Sequence, residues 1–373
     1  MAYAILVVSA ILLELAVNLP TGSLPLALAS DGIGPTGIAT VAAVAALAPL
    51  LGSIPLGGVI DRFGRLRTMR IAAAVSALAL LGLGFVHGMA AAATVMAVRS
   101  LALTAYMTAQ FAYASALVRA DRAVSAVSTL GMVGNLSLAV SPALGVWLWQ
   151  HGVGREQYLW STIPALAGTA VVFALPRRHD VHIRRSRRIF MRSAWLPAMT
   201  FLIGATLVGG VNTALAVITF HQRGIANAAL LFTAVAVTTF SLRYVAGRLV
   251  DRFGPRWVAV PTAAFHFTGA ALAATAHSDA MVIAAGCCLG FAWSAMVPVG
   301  IALLFERSSR TTRGAAMGAY GTAFAIGSLG GATLATLASA AGVGYTAAVL
   351  VAGAGPALAV PWIFAAGPGK VRT

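Results

Sequence analysis

The sequence has few charged residues and even fewer acidic ones. Charged residues make up 9% of its 373 residues, and nine Asp and Glu stand against 25 Lys and Arg, for a formal net charge of +16. Soluble domains carry about 25% charged residues. With 60% hydrophobic residues, the chain cannot be an ordinary soluble protein, and we expect an integral membrane protein. We expect no nucleic-acid partner, because the basic residues lie in short loops between apolar runs.

Cysteine is also scarce, and its placement excludes several site types. The two cysteines, Cys287 and Cys288, are adjacent inside an apolar run, which does not suit a cross-linking disulfide or a zinc site. No helical cluster of His, Asp or Glu suggests a metal, and no nucleophile is visibly paired with a base. We therefore expect no metal, no cofactor and no enzymatic activity.

Long polar stretches are missing as well, and apolar segments of bilayer-spanning length follow one another. The first residues, Met1–Leu13, lack a basic leader and a cleavage site, which favours a retained helix over a signal peptide. The expected fold class is an all-α integral membrane protein. The twelve predicted segments are Met1–Leu28, Thr36–Ile60, Thr68–Val86, Ala90–Val118, Ala123–Trp149, Gln157–Leu175, Ser193–Phe220, Asn227–Val250, Trp257–Ala276, Ala280–Phe305, Gly314–Ala341 and Tyr345–Ala365.

The distribution of basic residues predicts the orientation in the membrane. If the loop at Asp61 is cytoplasmic, the inner loops and tail hold 21 of the 25 Lys and Arg. The outer loops hold Arg155 and Arg223, and the other two, Arg99 and Arg243, fall inside helices. This asymmetry follows the positive-inside rule, so both termini are expected in the cytoplasm.

A charged turn occurs twice along the chain. The stretch Gly57–Arg67 contains the pattern G-x-x-x-D-R-F-G, which returns in Gly247–Trp257, 190 positions later. A repeat near half the chain length indicates a duplicated bundle, because solenoid repeats are much shorter. A glycine after the arginine allows a positive φ in a tight turn.

This turn resembles the loop between the second and third helices of the major facilitator superfamily of secondary transporters, and its second copy resembles the loop between helices eight and nine. The resemblance implies two pseudo-symmetric six-helix bundles working by alternating access, with residues 1–175 and 193–373 as bundles and 176–192 as a basic cytoplasmic linker. In the second copy, Pro255 and Trp257 replace the usual basic residues. The residues expected to gate the cytoplasmic side are Gly57, Asp61, Arg62, Gly64, Arg65, Gly247, Asp251, Arg252 and Gly254.

A second internal repeat lies in helices five and eleven. Gly131, Gly134 and Ser141 match Gly318, Gly321 and Ser328 at an offset of 187. The continuation Ser141–Pro142–Ala143–Leu144–Gly145 resembles the glycine-proline motif in helix five of proton-driven exporters, so Ser141, Pro142 and Gly145 join the gating candidates. Close packing of helices through small residues explains the pattern equally well. The seven arginines of the linker either contact anionic lipid or simply fix the topology.

One acidic residue stands apart from the others. Eight of the nine fall in loops or at helix ends, whereas Glu14 lies near the middle of the first segment. A carboxyl at this depth is costly unless it faces a cavity, has a partner or binds a proton. We therefore expect Glu14 to be the proton-coupling residue. The alternative is a permanently protonated or paired packing residue.

Arg99 is the second candidate for coupling. Superfamily exporters often carry an arginine in helix four, and only the arginine of that pattern matches here. Arg99 pairs with Glu14, holds an anionic group of the substrate, or clamps backbone carbonyls, and the sequence does not rank these roles. As a cation near the expected cavity, it favours an anionic or zwitterionic substrate.

Further polar groups lie within the apolar segments. Arg243 lies two turns before Asp251 and is expected to act in gating. Pro20 and Pro25 follow Asn18, which suggests an interrupted first helix whose freed backbone lines a cavity. Either substrate contact or interhelical hydrogen bonding suits the remaining candidates. The candidate substrate-binding residues are Asn18, Arg99, Gln110, Asn135, Asn212 and His266.

The expected function is export of a small organic compound, a drug or a metabolite, by proton antiport. Nutrient uptake by proton symport or facilitated diffusion suits the same fold, and a membrane-embedded enzyme or a non-transporting receptor fits less well. The expected partners are a small-molecule substrate, protons and the lipid bilayer. The expected state is a multi-pass monomer in the bacterial cytoplasmic membrane.

Overall fold

The computed structural model describes residues 2–118, 123–176, 192–225, 227–308 and 313–367. Every regular element in these residues is helical. The helices are α1 (Ala2–Asn18), α2 (Pro20–Ser30), α3 (Pro35–Phe63), α4 (Arg65–Leu83), α5 (Met89–Leu117), α6 (Ala123–Gln150), α7 (Glu156–Phe173), α8 (Leu196–Val211), α9 (Val217–Gln222), α10 (Leu230–Phe253), α11 (Pro255–Ala274), α12 (Asp279–Phe305), α13 (Arg313–Ala340) and α14 (Gly344–Ala365).

The helices account for all twelve predicted segments. Within the described residues, eleven helices or helix pairs are long and apolar enough to cross a membrane. Two of them are compound: α1 and α2 form the span Ala2–Ser30, and a π-helix at Asn212–Ala216 links α8 to α9 in the span Ser193–Gln222. The twelfth helix, α7, has 18 residues and begins with the polar pair Glu156 and Gln157. The predicted all-α membrane fold is confirmed.

The chain forms two compact units. The first comprises Met1–Gly34 and Val44–Ser186, and the second comprises Pro35–Ala43 and Arg187–Thr373. In the first unit α1 packs on α6 and α7, and α4 packs on α5 and α7. In the second unit α8 packs on α13 and α14, and α11 packs on α12 and α14. The same pairings therefore recur in both units, as expected for a duplicated bundle.

Both charged turns have the same backbone geometry. Gly64 has φ 85° and ψ 150°, and Gly254 has φ 81° and ψ 154°. Each glycine amide donates to the carbonyl four residues earlier, Ile60 or Val250, at 2.9 Å. The positive φ expected at Gly64 is confirmed. The next helix starts immediately afterwards, at Arg65 or Pro255, so the predicted starts at Thr68 and Trp257 were a few residues late.

Replacing Gly64 with Ala should destabilise the protein. These dihedral angles lie in a region that is essentially restricted to glycine, where another residue costs about 1–3 kcal/mol. We expect the same loss for Gly254→Ala, because the two turns share one conformation. Thermal unfolding of the purified variants measures the effect. Gly247→Ala is the control, since a Cβ at Gly247 meets no atom within 4 Å. Equal melting temperatures for Gly64→Ala and Gly247→Ala would contradict the prediction.

Small residues bring helices into backbone contact in each unit. A Cβ on Gly22 of α2 would lie 2.8 Å from the carbonyl carbon of Pro142, and one on Gly145 would lie 2.5 Å from the carbonyl oxygen of Leu19. The motif Ser141–Gly145 of α6 thus packs directly against α2. In the second unit, Gly331 of α13 packs equally closely on α8. At these positions the helices touch through their backbones rather than through long side chains, as is common for helices in lipid.

Candidate functional site

Glu14 is buried near the middle of the first span. It is the thirteenth of the 29 residues in Ala2–Ser30, and 1% of its surface is exposed. Neither carboxyl oxygen has a hydrogen-bond partner among the described residues. A charge on an acid so placed is costly, because it is poorly solvated at this depth. The position is therefore suited to binding a proton that is released only when water reaches it.

Two neighbouring helices shape the space around this carboxyl. Gly134 of α6 faces it so closely that an added Cβ would lie 2.9 Å from Glu14 Oε2. Gln110 of α5 is fully buried and lies close enough to the carboxyl to interact with it, although the two side chains do not meet at hydrogen-bond distance. Tyr106, one turn earlier, shares a hydrogen bond of 3.3 Å with Ser9. The result is a buried polar cluster with unused hydrogen-bonding capacity.

Arg99 does not contact Glu14 in this conformation. Its guanidinium is buried and donates to the backbone carbonyl of Val17 in α1. None of the ion pairs in the described part of the chain joins Arg99 to Glu14. Of the roles that the sequence left open, this geometry corresponds to the clamp on a backbone carbonyl.

Proline interrupts the first span next to the carbonyl that Arg99 contacts. Pro20 has no amide hydrogen, so the first span is interrupted between α1 and α2. The carbonyl of Ala16 accepts from Leu19 at 3.3 Å, and that of Val17 accepts from Arg99. Asn18 lies in the same turn and donates to Ser137 Oγ of α6 at 2.9 Å. The interruption expected after Asn18 is therefore present and is held by two neighbouring helices.

In the second unit, Asn212 marks a local widening of the helix. It begins the π-helix Asn212–Ala216, and its side-chain oxygen accepts a hydrogen bond of 2.9 Å from Tyr345. The Tyr345 ring meets Phe220 edge to face, with ring centroids 5.6 Å apart. Single π turns within α-helices occur frequently at functional sites.

His266 and Arg243 lie in separate places. His266 of α11 is buried, and its Nε2 has no hydrogen-bond partner among the described residues. Arg243 of α10 is half-buried and lies within electrostatic range of the Tyr320 hydroxyl of α13. Asn212 bonds to α14 rather than to either of these residues. In the part of the chain that the structure describes, Asn212, His266 and Arg243 therefore do not form one cluster.

The gating candidates are described in part. Arg65 is buried and donates to the carbonyl of Ala112 in α5 at 2.7 Å. In the second copy, Asp251 and Arg252 are exposed, and the Arg252 guanidinium lies over the Phe253 ring. The side chains of Asp61, Arg62 and Asn135, together with the surroundings of Gly57, lie outside the described residues.

The segments that follow α2, α4 and α6 in the first unit meet at Asp31. Its carboxylate accepts hydrogen bonds from Arg155 and from the amide of Gly88 at 3.3 Å, and it pairs with His87 at 3.3 Å. Arg155 also donates to the carbonyl of Ala27 at 3.2 Å. Burial acts to raise the pKa of Asp31, but the donors His87, Gly88 and Arg155 outweigh it, and the pKa lies below its ordinary value.

Asp31→Asn should therefore destabilise the protein at neutral pH by about 1.5 kcal/mol, since the charge-assisted bonds are weakened. A carboxyl with a lowered pKa stabilises the fold above its unfolded value, about 3.9, and the contribution disappears as the pH falls through the folded value. Thermal unfolding from pH 7 to pH 3 tests this. We expect the gap between wild type and variant to begin to narrow below about pH 4. A gap of the same size at pH 7 and pH 3 would contradict the assignment.

Sequence reasoning missed the tyrosines and serines that complete these contacts. Tyr106, Ser137 and Tyr345 lie in apolar segments at positions that give no signal of their partners. No group of three or more metal-ligating side chains occurs in the part of the chain that the structure describes.

Comparison with known proteins decides the family. The sequence model described as Major Facilitator Superfamily matches residues 6–226 and 198–373. The chain belongs to the major facilitator superfamily. It is therefore a multi-pass membrane transporter of a small-molecule substrate, as the charged turns indicated. No curated protein sequence matches it significantly.

Solved structures of other superfamily members share the fold over nearly the whole chain. The nucleoside transporter NupG is 14% identical with a TM-score of 0.75, and the match covers 99% of this chain and 100% of NupG. A bacterial homologue of the human lysosomal transporter Spinster, in an inward-facing and occupied conformation, is 12% identical with a TM-score of 0.78, covering 98% and 96%. A POT family transporter bound to a thioalcohol-conjugated peptide is 11% identical with a TM-score of 0.80, covering 97% and 95%. At these identities the similarity concerns the fold of this superfamily member and not its substrate.

Proposed function

We propose that this superfamily member exports a small organic compound in exchange for protons, with Glu14 as the proton-binding residue. The observation that carries the proposal is the buried carboxyl of Glu14, which has no hydrogen-bond partner within the described residues. Membrane-embedded acids of this kind generally serve substrate or ion pathways.

The surrounding residues supply the other parts of such a mechanism. Gly134 has no side chain where the Glu14 carboxyl lies, and Gln110 lies beside that carboxyl. Arg99 holds the interrupted first span through the Val17 carbonyl, and Asn18 holds it through Ser137. Interrupted helices of this type commonly line transport sites. The charged turns and the motif Ser141–Gly145 act in gating in this scheme.

A transport assay with an imposed pH gradient tests the proposal. Purified protein in liposomes is given a panel of radiolabelled organic compounds, with an acidic compartment on one side. Antiport predicts that substrate moves towards the acidic compartment and that dissipating the gradient with a protonophore stops uphill movement. Movement of substrate together with protons would instead indicate uptake by symport. Transport that is indifferent to the gradient would overturn coupling altogether.

The protein is proposed to act as a monomer in the bacterial cytoplasmic membrane, with both termini in the cytoplasm. The excess of basic residues in the inner loops supports this orientation. Cysteine labelling of single variants from each side of the membrane tests it. Labelling of the two termini from opposite sides would contradict the topology.

A further inference from the structure

We propose that Arg243, Tyr320, Phe324 and Trp293 of the second unit form the binding site for a planar aromatic acid. This inference rests on the proposed transport function and names its substrate class. The four residues lie on three helices, α10, α12 and α13. None of the three aromatic residues was identified from the sequence.

Arg243 is a cation that lacks a partner. It lies 10 residues before the end of α10 at Phe253, about 15 Å along the helix axis, and five residues before Arg248, which the charge distribution assigns to the inner side, so it lies within the apolar part of the helix. Within the described residues its guanidinium forms no hydrogen bond or ion pair. An arginine at this depth faces protein or a hydrated cavity rather than lipid, because exposure to hydrocarbon costs several kcal/mol.

The second half of the chain has no acid that can neutralise this cation at the same depth. Between residues 193 and 373 the acidic residues are Asp251, Asp279 and Glu306. Asp251 is an exposed residue two turns further along α10, and Asp279 begins α12 at its opposite end. Glu306 pairs with Arg256 at 3.3 Å. No acidic side chain of the second half therefore lies next to Arg243, which leaves its charge available to an anionic ligand.

Three aromatic side chains form a row that begins near the Arg243 guanidinium. Tyr320 lies within electrostatic range of Arg243, and its ring centroid is 6.5 Å from that of Phe324. Phe324 in turn meets Trp293 edge to face, with centroids 5.8 Å apart. All three side chains are partly exposed. Partly exposed rings that are already in contact offer a surface on which another ring can stack.

The rings lie at the same depth as the cation. From the ends that α10, α12 and α13 share on one side, Tyr320 is about 10 Å, Phe324 about 17 Å and Trp293 about 18 Å along the helix axes. Trp293 closes the row against α8, where a Cβ on Gly209 would lie 3.1 Å from its Cζ2. A ligand whose acid group meets Arg243 thus has its ring system beside Tyr320 and Phe324.

This arrangement changes the roles that the sequence suggested for Arg99 and Arg243. Arg99 was the cation expected to favour an anionic substrate, but it donates to the Val17 carbonyl. Arg243 was expected to gate the transporter, yet it lies beside an aromatic row without an acidic partner. We therefore place the acid-binding role at Arg243.

Isothermal titration calorimetry on the full chain in lipid nanodiscs tests the site, with empty nanodiscs as the blank. The probe is 2-naphthoate, compared with the neutral 2-naphthamide and with cyclohexanecarboxylate, an acid without an aromatic ring. We expect 2-naphthoate to bind at least about tenfold more tightly than either comparison compound, since it alone offers both the charge and the ring. Equal binding of naphthoate and naphthamide would overturn the role of Arg243.

Single variants test the contributions of the Arg243 charge and of the aromatic rings to binding separately. Arg243→Gln should weaken 2-naphthoate at least about tenfold and leave 2-naphthamide unchanged, whereas Arg243→Lys should retain part of the preference for the acid. Arg248→Gln is the matched control, because Arg248 lies on the same helix and stacks on Tyr244 instead. Trp293→Leu should weaken both naphthalene ligands about fivefold. Phe265→Leu, in the separate pair with Phe291, should weaken neither.

The outcomes distinguish this site from the proposed transport cycle. Binding at equilibrium needs no proton gradient, so the site is overturned if 2-naphthoate does not bind, or if Arg243→Gln binds it as tightly as wild type does. An equal loss in Arg248→Gln would also overturn it, since general surface charge would then suffice. If binding depends on Arg243 but a pH gradient fails to drive any substrate, the coupling mechanism fails and the site stands.

Discussion

Glu14→Gln is expected to abolish proton-driven accumulation of substrate and to leave exchange of substrate across the membrane intact. The amide has nearly the shape of the neutral carboxyl but neither binds nor releases a proton. Because Glu14 is buried and has no hydrogen-bond partner within the described residues, the substitution should disturb the packing very little. The variant should therefore behave as a permanently protonated transporter.

The size of the effect follows from the energy that one proton supplies. Exchange of one proton for a substrate with one negative charge moves two charges, which yields about 4.6 kcal/mol from a potential of 100 mV and about 1.4 kcal/mol from one pH unit. Together these support a concentration ratio on the order of 10⁴, since each 1.4 kcal/mol is worth a factor of ten. We expect the ratio in Glu14→Gln to fall to unity.

Radiolabelled substrate in proteoliposomes measures both quantities, with accumulation under a gradient and counterflow without one. Glu156→Gln is the matched control, because it makes the same chemical change at an exposed acid at the start of α7. Glu14→Asp should retain part of the coupling. Wild-type accumulation in Glu14→Gln would remove Glu14 from the mechanism. Loss of counterflow as well would indicate that the residue holds the fold or the substrate rather than the proton.

Gly331→Ala is expected to be the most destabilising single methyl addition in the second unit. A Cβ on Gly331 of α13 would overlap the carbonyl oxygen of Leu207 and lie 2.9 Å from its carbonyl carbon and 3.0 Å from Gly210 Cα. These are backbone atoms of α8, which cannot rotate away. The two helices must therefore move apart along a contact that α8 also makes through Gly210.

Overpacking of this kind costs about 3 kcal/mol, which corresponds to a fall in melting temperature of about 6–12 °C for a domain of this size. Thermal unfolding of detergent-solubilised protein provides the measurement. Gly321→Ala is the control on the same helix, since a Cβ there meets no atom within 4 Å. Similar melting temperatures for the two variants would show that α8 and α13 are not packed through their backbones.

Gly22→Ala should produce a comparable loss in the first unit, where the Cβ would press on the Pro142 backbone. The two contacts lie in equivalent helix pairs, α2 with α6 and α8 with α13. Of the repeated residues, Ser328 takes part in such a contact through its carbonyl oxygen, which faces Gly210, whereas a Cβ on Gly131 or Gly321 meets no atom within 4 Å. Whether they also gate transport is a separate prediction, which the transport assay addresses.

The sequence by itself determined the class of the protein, the number of its membrane helices and the duplication. These properties depend on composition and on the length of apolar segments. Both can be read along the chain without knowing which residues meet in the folded protein. It also identified Glu14, because an acid in an apolar run is unusual wherever its side chain points. Gly64 was predictable for a similar reason, since a tight turn requires a positive φ at a fixed position.

The tertiary structure alone decided which side chains meet. Arg99 could reach several partners from its helix, and its bond to the Val17 carbonyl depends on how α5 packs against α1. Arg243 and Tyr320 are separated by 77 residues, and their proximity depends on how α10 and α13 are rotated about their axes. The sequence of a helix that is apolar on all sides does not indicate which face packs against a neighbour. In lipid, both the packed and the exposed faces are apolar.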